Sequence, residues 1–230
     1  MFGIITGGTR GLGFDAAKEL ASNGYSHLIL TYNANTERAE QAKKTLEDKH
    51  GVQVFVVKGD LVKPEAVDAI FDCVEKNFGN KLNALVHNAG AAIGVSSVAE
   101  TEAAKKAAAS YKETIASGKF DDFATYDYFQ EIYPKCFIRM VRYYAQALAP
   151  RGITVNAIIP GYILSDAWHH MTASKGGIES EAVQGMIQGS PMKRFGEGRE
   201  FGHVTAFLCS PKASFITGVS LPVDGGLHLQ

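Results

Sequence analysis

A strand, a glycine-rich turn and a helix open this chain, and that succession constrains the fold more than any other feature. Phe2-Gly3-Ile4-Ile5-Thr6 reads as a strand. It runs into Thr6-Gly7-Gly8-Thr9-Arg10-Gly11-Leu12-Gly13 and then into a helical stretch, Gly11 to Asn23, ended by Gly24. Glycines at such a turn let the backbone bend sharply, approach a pyrophosphate and pack the helix on the sheet, with the phosphate at the helix N-terminus. A glycine pattern alone is weak evidence; the strand–turn–helix setting is what gives it weight.

The alternation continues. His27 to Tyr32 predicts a second strand and Thr36 to Lys49 a helix with Thr36 as N-cap, although no Glu or Gln stands three residues on. Val52 to Lys58, Pro64 to Phe78 and Leu82 to His87 predict strand, helix and strand, with proline near the start of the helix. Strands apolar along their whole length and separated by helices predict an α/β fold with a parallel sheet covered on both faces, doubly wound by right-handed crossovers. Residues 99–118 are rich in alanine and charge and read as a solvated helix or partly mobile excursion, with a lid over a site as the functional alternative. Asp121 to Leu148 carries an apolar stripe at helical spacing with Pro134 inside it, which predicts a kink. Ile153 to Ile159 predicts another strand, Glu200 to Cys209 a helix, and Val219 to Val223 a last strand.

Composition removes several functions. Lys+Arg 23 against Asp+Glu 24 gives a net charge of -1, so no basic field serves nucleic acid or an anionic membrane. No apolar run is as long as a membrane span, and Met1 leads straight into a strand instead of a leader. Cys73, Cys136 and Cys209 are odd in number and each falls in an apolar-periodic stretch. They predict reduced core thiols, a cytoplasmic setting and no metal site.

Further pieces fall in register with the glycine loop. Asp60-Leu61 follows strand three, Asn88-Ala89-Gly90 follows strand four, Asn156 and Pro160-Gly161 mark the later strand, and Thr217-Gly218 with Asp224-Gly225-Gly226 closes the chain. From Ile4 to Gly226 these motifs resemble the short-chain dehydrogenase/reductase family. The resemblance implies a Rossmann-type fold in a single domain over residues 1–230 and an oxidoreductase acting on a small molecule. It also implies cofactor contacts at Gly7, Thr9, Arg10, Gly11, Leu12, Gly13, Asn33, Asp60, Leu61, Asn88, Ala89, Gly90, Pro160, Gly161, Ile163 and Ser165. Strand two ends Thr31-Tyr32-Asn33-Ala34-Asn35 with no acid to bind a ribose diol, and Arg10 supplies a cation. In the family that combination goes with NADP(H). Relatives pair through the two long helices after strand four and through the C-terminal strand, which implies two-fold self-association, a homodimer before any higher homo-oligomer.

The chain departs from the family where the chemistry should be. The family uses a serine after strand five and a Tyr-x-x-x-Lys in the following helix. Tyr133-Pro134-Lys135 fits the helix that carries an Asn-Leu-Lys in the family. Tyr128 and Lys135 have a wider, enoyl-reductase spacing, but Pro134 then occupies the lysine's place. Ser174-Lys175 has Met171 where tyrosine belongs, and Tyr111, following Ser96-Ser97, has Ile115 where lysine belongs. Only 66 steps (156 − 90) separate Gly90 from Asn156, and no β-branched run stands between Phe123 and Ile153. Strand five is therefore expected to be missing or displaced, together with the start of the tyrosine helix.

Reaction type decides whether that loss matters. Hydride added to a ketone makes an alkoxide and needs an acid; hydride added to an iminium makes a neutral amine and needs none. An iminium site needs a carboxylate and aromatic walls. Tyr162 and Ser165-Asp166-Ala167-Trp168, just after Pro160-Gly161, offer both. Fungal reductases of indole-alkaloid biosynthesis that reduce an iminium with NADPH and guide a Diels–Alder cyclisation are similar in lacking the tyrosine and lysine. That finer resemblance implies Asp166 and Arg139 as catalytic residues and Tyr162 and Trp168 as substrate-binding. Two alternatives stand beside it: a carbonyl reductase using Tyr128 or Tyr133 with Lys135, and a non-catalytic cofactor-binding protein.

Overall fold

A computed structural model of the chain describes residues 1–61, 63–79, 81–89, 133–173 and 176–229, with the backbone alone for 133–140 and 171. Its first part follows the predicted alternation: β1 (Phe2–Ile5), α1 (Gly11–Ser22), β2 (His27–Tyr32), α2 (Thr36–His50), β3 (Gln53–Lys58), α3 (Pro64–Phe78) and β4 (Ala84–Val86). The four strands form one parallel sheet in the order β3-β2-β1-β4, with Ile4 opposite both Ile29 and Leu85. Alternate side chains sort onto two faces, as a period of two requires. Ile5, Leu28, Leu30 and Val54 meet Ala17 and Leu20 of α1 and Leu46 of α2. Ile4 and Ile29, with Phe55 and Val57, meet Ile70, Val74 and Phe78 of α3. Ile5, Leu28, Ile29 and Leu30 are completely buried, each such side chain contributing about 1.5–3 kcal/mol. This double burial is why the strands lack polar alternation.

After α4 (Tyr133–Leu148) come β5 (Ala157–Pro160), α5 (Asp166–Thr172), α6 (Glu181–Gly189), α7 (Gly198–Leu208) and β6 (Ser220–Val223). β5 and β6 form a two-stranded sheet. Their bonds, Ala157 N–H to Val219 O at 2.9 Å and Gly161 N–H to Val223 O at 3.0 Å, advance together along both strands, so the pair is parallel. No strand is described between β4 and β5. The chain divides into two compact units, Met1–Gly90 with Ile158–Phe215 and Leu221–Gln230, and Ala91–Ala157 with Ile216–Ser220.

Several local expectations shift. The α2 cap is Asn35, one residue before Thr36; its side chain accepts from the Arg38 N–H at 2.9 Å. Asn competes well for that position because its oxygen reaches the N3 donor. Pro134 is the second described residue of α4, and the part of the Asp121–Leu148 stretch before Tyr133, on which the expected kink depends, lies outside the described residues. β4 is only three residues long because Lys81 N–H turns back onto Phe78 O at 3.1 Å before the strand begins. The helix expected over 99–118, together with Tyr111, Tyr128 and Ser174-Lys175, lies outside the described residues. No helix among the described residues is long and apolar enough to cross a membrane.

Candidate functional site

The glycine loop is built as a cradle. Gly7 has φ +63 and donates its N–H to Thr31 Oγ1 at 3.1 Å. The buried Thr6 hydroxyl accepts from both Asn88 N–H and Ala89 N–H at 2.9 Å, and the Asn88 amide donates to Thr6 O at 3.2 Å and Gly7 O at 3.5 Å. Asn88 and Ala89 therefore tie the end of β4 to the turn that follows β1. A Cβ on Gly13 would lie 2.5 Å from Gly7 O and 2.4 Å from Asn88 Nδ2, so only glycine packs there.

Above this cradle the first turn of α1 is prepared for an anion. Its leading N–H groups have no intrahelical partner. Arg10, the N-cap, makes no side-chain cap, and no acid stands in the first turn. Gly11 has φ +52, and a side chain there would meet nothing within 4 Å. The helix terminus thus offers donors, a positive dipole end and room.

That room belongs to a cavity of about 330 Å³ whose border includes Gly11, Phe14, Arg38, Ser165 and Asp166, and also Asp15, whose carboxylate is paired with Lys18. Arg38, three residues into α2, forms an ion pair with Asp166, the first residue of α5. Ser165 is the N-cap of α5 and makes no side-chain cap bond. Beside it, Trp168 packs edge-on to Tyr162 (centroids 5.4 Å) and to Phe195 (5.3 Å). The Pro160–Ser165 segment is held by Gly196 N–H to Tyr162 O and Leu164 N–H to Gly196 O, both 2.8 Å. Gly161 is pressed against the C-terminal turn, since a Cβ there would fall 2.5 Å from the Asp224 Cα.

The sequence-predicted residues therefore separate. Gly7, Gly13, Asn88 and Ala89 come together in the cradle; Gly11, Ser165 and Asp166 border one cavity; Tyr162 and Trp168 share an aromatic cluster. The Ile163 side chain packs with Ala16 and Phe201 in the core, and half-buried Leu12 packs against the same cluster. Leu61 packs on the α3 layer. Thr9 is buried, while Arg10 and Asn33 are exposed. The Asp60 carbonyl accepts from Lys63 N–H at 2.9 Å. Gly90 and the side chains of Arg139, Tyr133 and Lys135 lie outside the described residues.

Sequence reasoning missed Thr6, Thr31, Arg38 and Phe195. A cation shortly after β2, near the usual ribose-reading position, was the signal available for Arg38.

Two family profiles match: short chain dehydrogenase over residues 3–116 and enoyl-(acyl carrier protein) reductase over residues 135–228. The 3-oxoacyl-[acyl-carrier-protein] reductase of Mycobacterium bovis is 30% identical over 251 residues, covering 98% of this chain and 92% of its own. The chain belongs to the short-chain dehydrogenase/reductase family. The 3-oxoacyl-[acyl-carrier-protein] reductase of Staphylococcus epidermidis is 28% identical over 252 residues, covering 98% of each chain. Among solved structures, L-sorbose reductase from Gluconobacter frateurii, complexed with NADPH and L-sorbose, has a TM-score of 0.78 at 25% identity, covering 98% of this chain and 95% of its own. A short-chain dehydrogenase/reductase from Serratia marcescens has a TM-score of 0.74 at 25% identity, covering 98% and 97%.

The alignment with the staphylococcal enzyme also shows that positions of the relative are absent from this chain. It spans 252 positions although this chain has 230 residues, so at least 22 positions (252 − 230) have no counterpart here. The two profile matches break between residues 116 and 135, within the stretch where strand five and the tyrosine helix were missed. None of the nine tyrosines is followed four residues later by lysine.

Proposed function

We propose that this chain is an NADPH-dependent reductase that delivers hydride to a C=N or C=O carbon of a small molecule, with an iminium as the better substrate. The observation that carries the cofactor reading is the uncapped, acid-free start of α1 opening into a cavity with a guanidinium, Arg38, at its border. A dinucleotide pyrophosphate suits the helix terminus, and Arg38 with Arg10 suits an additional phosphate on the ribose. Bound there, NADPH supplies the hydride. The L-sorbose reductase complexed with NADPH supports this choice of cofactor.

The protein's own contribution is positional. The Thr6–Asn88 bonds tie the end of β4 to the loop that would lie under the cofactor. Tyr162, Trp168 and Phe195 form an aromatic wall suited to a planar or cationic substrate. The missing Tyr-x-x-x-Lys favours a substrate whose reduction develops no oxyanion, which is why iminium ranks above ketone. The curated relatives are named as reductases, and no described residue bears on a later cyclisation, so the reading stops at hydride transfer.

The test is turnover of NADPH against two panels: cyclic iminium ions, and ketones including a 3-oxoacyl thioester. Iminium reduction that survives Tyr128→Phe and Tyr133→Phe is expected. Ketone reduction abolished by either substitution would instead make the chain an ordinary carbonyl reductase. Absence of NADPH binding would overturn the reading altogether.

A further inference from the structure

Arg38 is already occupied. Its guanidinium, held at the first turn of α2 by the Asn35 cap, pairs with the Asp166 carboxylate from 128 residues further along the chain. Both residues border the cavity that opens over Gly11. A carboxylate in contact with a guanidinium makes the same charge-assisted bonds that a phosphate oxygen makes. We infer that Asp166 is an internal competitor for Arg38: it stands in for the cofactor's anionic group, and its carboxylate must give up Arg38 before that group can take it. Asp166 thereby tunes how strongly the chain prefers a dinucleotide with an extra phosphate over one without.

The inference rests on the NADPH reading and adds a role for Asp166 that differs from contact with substrate. Three features of the site support it. The partners come from different elements, α2 and α5, so the pair spans the cavity border and does not brace one helix. Their side chains are 44% and 49% exposed, so the bond is weak enough for an incoming dianion to displace it. Asp166 also lies beside the place where phosphate charge would collect, so it opposes that ligand directly as well as by holding Arg38.

The experiment measures dissociation constants for NADPH, NADH and adenosine 2′,5′-bisphosphate by calorimetry, without turnover, on the intact chain. Asp166→Asn, with Asp166→Ser as a second variant, should bind NADPH and the bisphosphate about fivefold more tightly, or about 1 kcal/mol at 1.4 kcal/mol per decade. NADH affinity should move by less than about twofold, within the range that a weak exposed contact can account for. Arg38→Gln should weaken NADPH binding, and adding Asp166→Asn to it should yield a clearly smaller gain than the same substitution gives in the unaltered chain, since only the direct repulsion is then removed. Unchanged NADPH affinity in both Asp166 variants, or equal tightening of NADH, would overturn the inference. Failure of the NADPH reading shows differently: the unaltered chain and Arg38→Gln would then bind NADH and NADPH alike.

Discussion

Glu200→Gln tests how the segment that carries Phe195 of the aromatic wall is held. Glu200 accepts two bonds from Arg194, at 2.7 and 2.8 Å, and one from Glu197 N–H at 2.7 Å, completing the capping box of α7. The Arg194 bonds, and then the Glu197 N–H, hold its carboxyl at about 2 against the usual 4.5. Taken at face value that depression corresponds to about 3.4 kcal/mol. The partners' side chains are 38% and 46% exposed, and solvent screening reduces the expected contribution to about 1 kcal/mol. The sign follows from linkage: a depressed carboxyl stabilises fully above pH 4.5 and loses that contribution as pH falls towards 2. Arg194 also donates to Phe195 O at 2.9 Å, and Phe195 packs on Trp168. Trp168 is the only tryptophan, so its fluorescence in urea reports this region directly. Glu200→Gln should unfold about 1 kcal/mol earlier at pH 7, with the difference shrinking below pH 4.5. A difference that stays constant from pH 7 to 3.5, or none at pH 7, would refute the reasoning.

Gly13→Ala drives a methyl into Gly7 O and the Asn88 amide. It should cost about 1–3 kcal/mol in stability and at least about tenfold in NADPH affinity by calorimetry; undiminished affinity would mean the cradle does not hold the cofactor. Phe215 is fully exposed, and Tyr143 is 68% exposed, large apolar groups of the kind that association covers. Sedimentation at micromolar concentration should show a dimer, and a monomer alone would refute it.

The sheet was legible because burial on both faces leaves one unbroken apolar signature per strand, as in His27–Tyr32. The glycine loop was legible because Gly7 and Gly13 answer to backbone geometry that no other residue satisfies. Arg38 was not, since a lone cation early in a helix looks like any solvated residue until Asp166 is brought to it from 128 positions away. Thr6 and Thr31 were hidden for a similar reason: threonine in or just after a strand is ordinary, and only the fold aims the Thr31 hydroxyl at the glycine turn and the Thr6 hydroxyl at Asn88 and Ala89. The motif that offered Ile163 did not show that its side chain packs in the core beside Ala16 and Phe201. The α2 cap missed by one residue because Asn35 and Thr36 are both competent cap formers.

The packing of α1 against α7 has a consequence for how the chain reaches its native state. Gly202 lets α7 approach so closely that a Cβ there would fall 2.8 Å from Asp15 O, and Tyr25 donates its hydroxyl to Cys209 O at 2.7 Å across 184 residues. During synthesis the first helix emerges long before the segment that covers it. Contacts of such sequence separation slow folding, because the closure entropy comes before the reward. Until residue 209 leaves the ribosome, one flank of the opening βαβ unit stays uncovered, and that flank is where a chaperone would find this protein during translation.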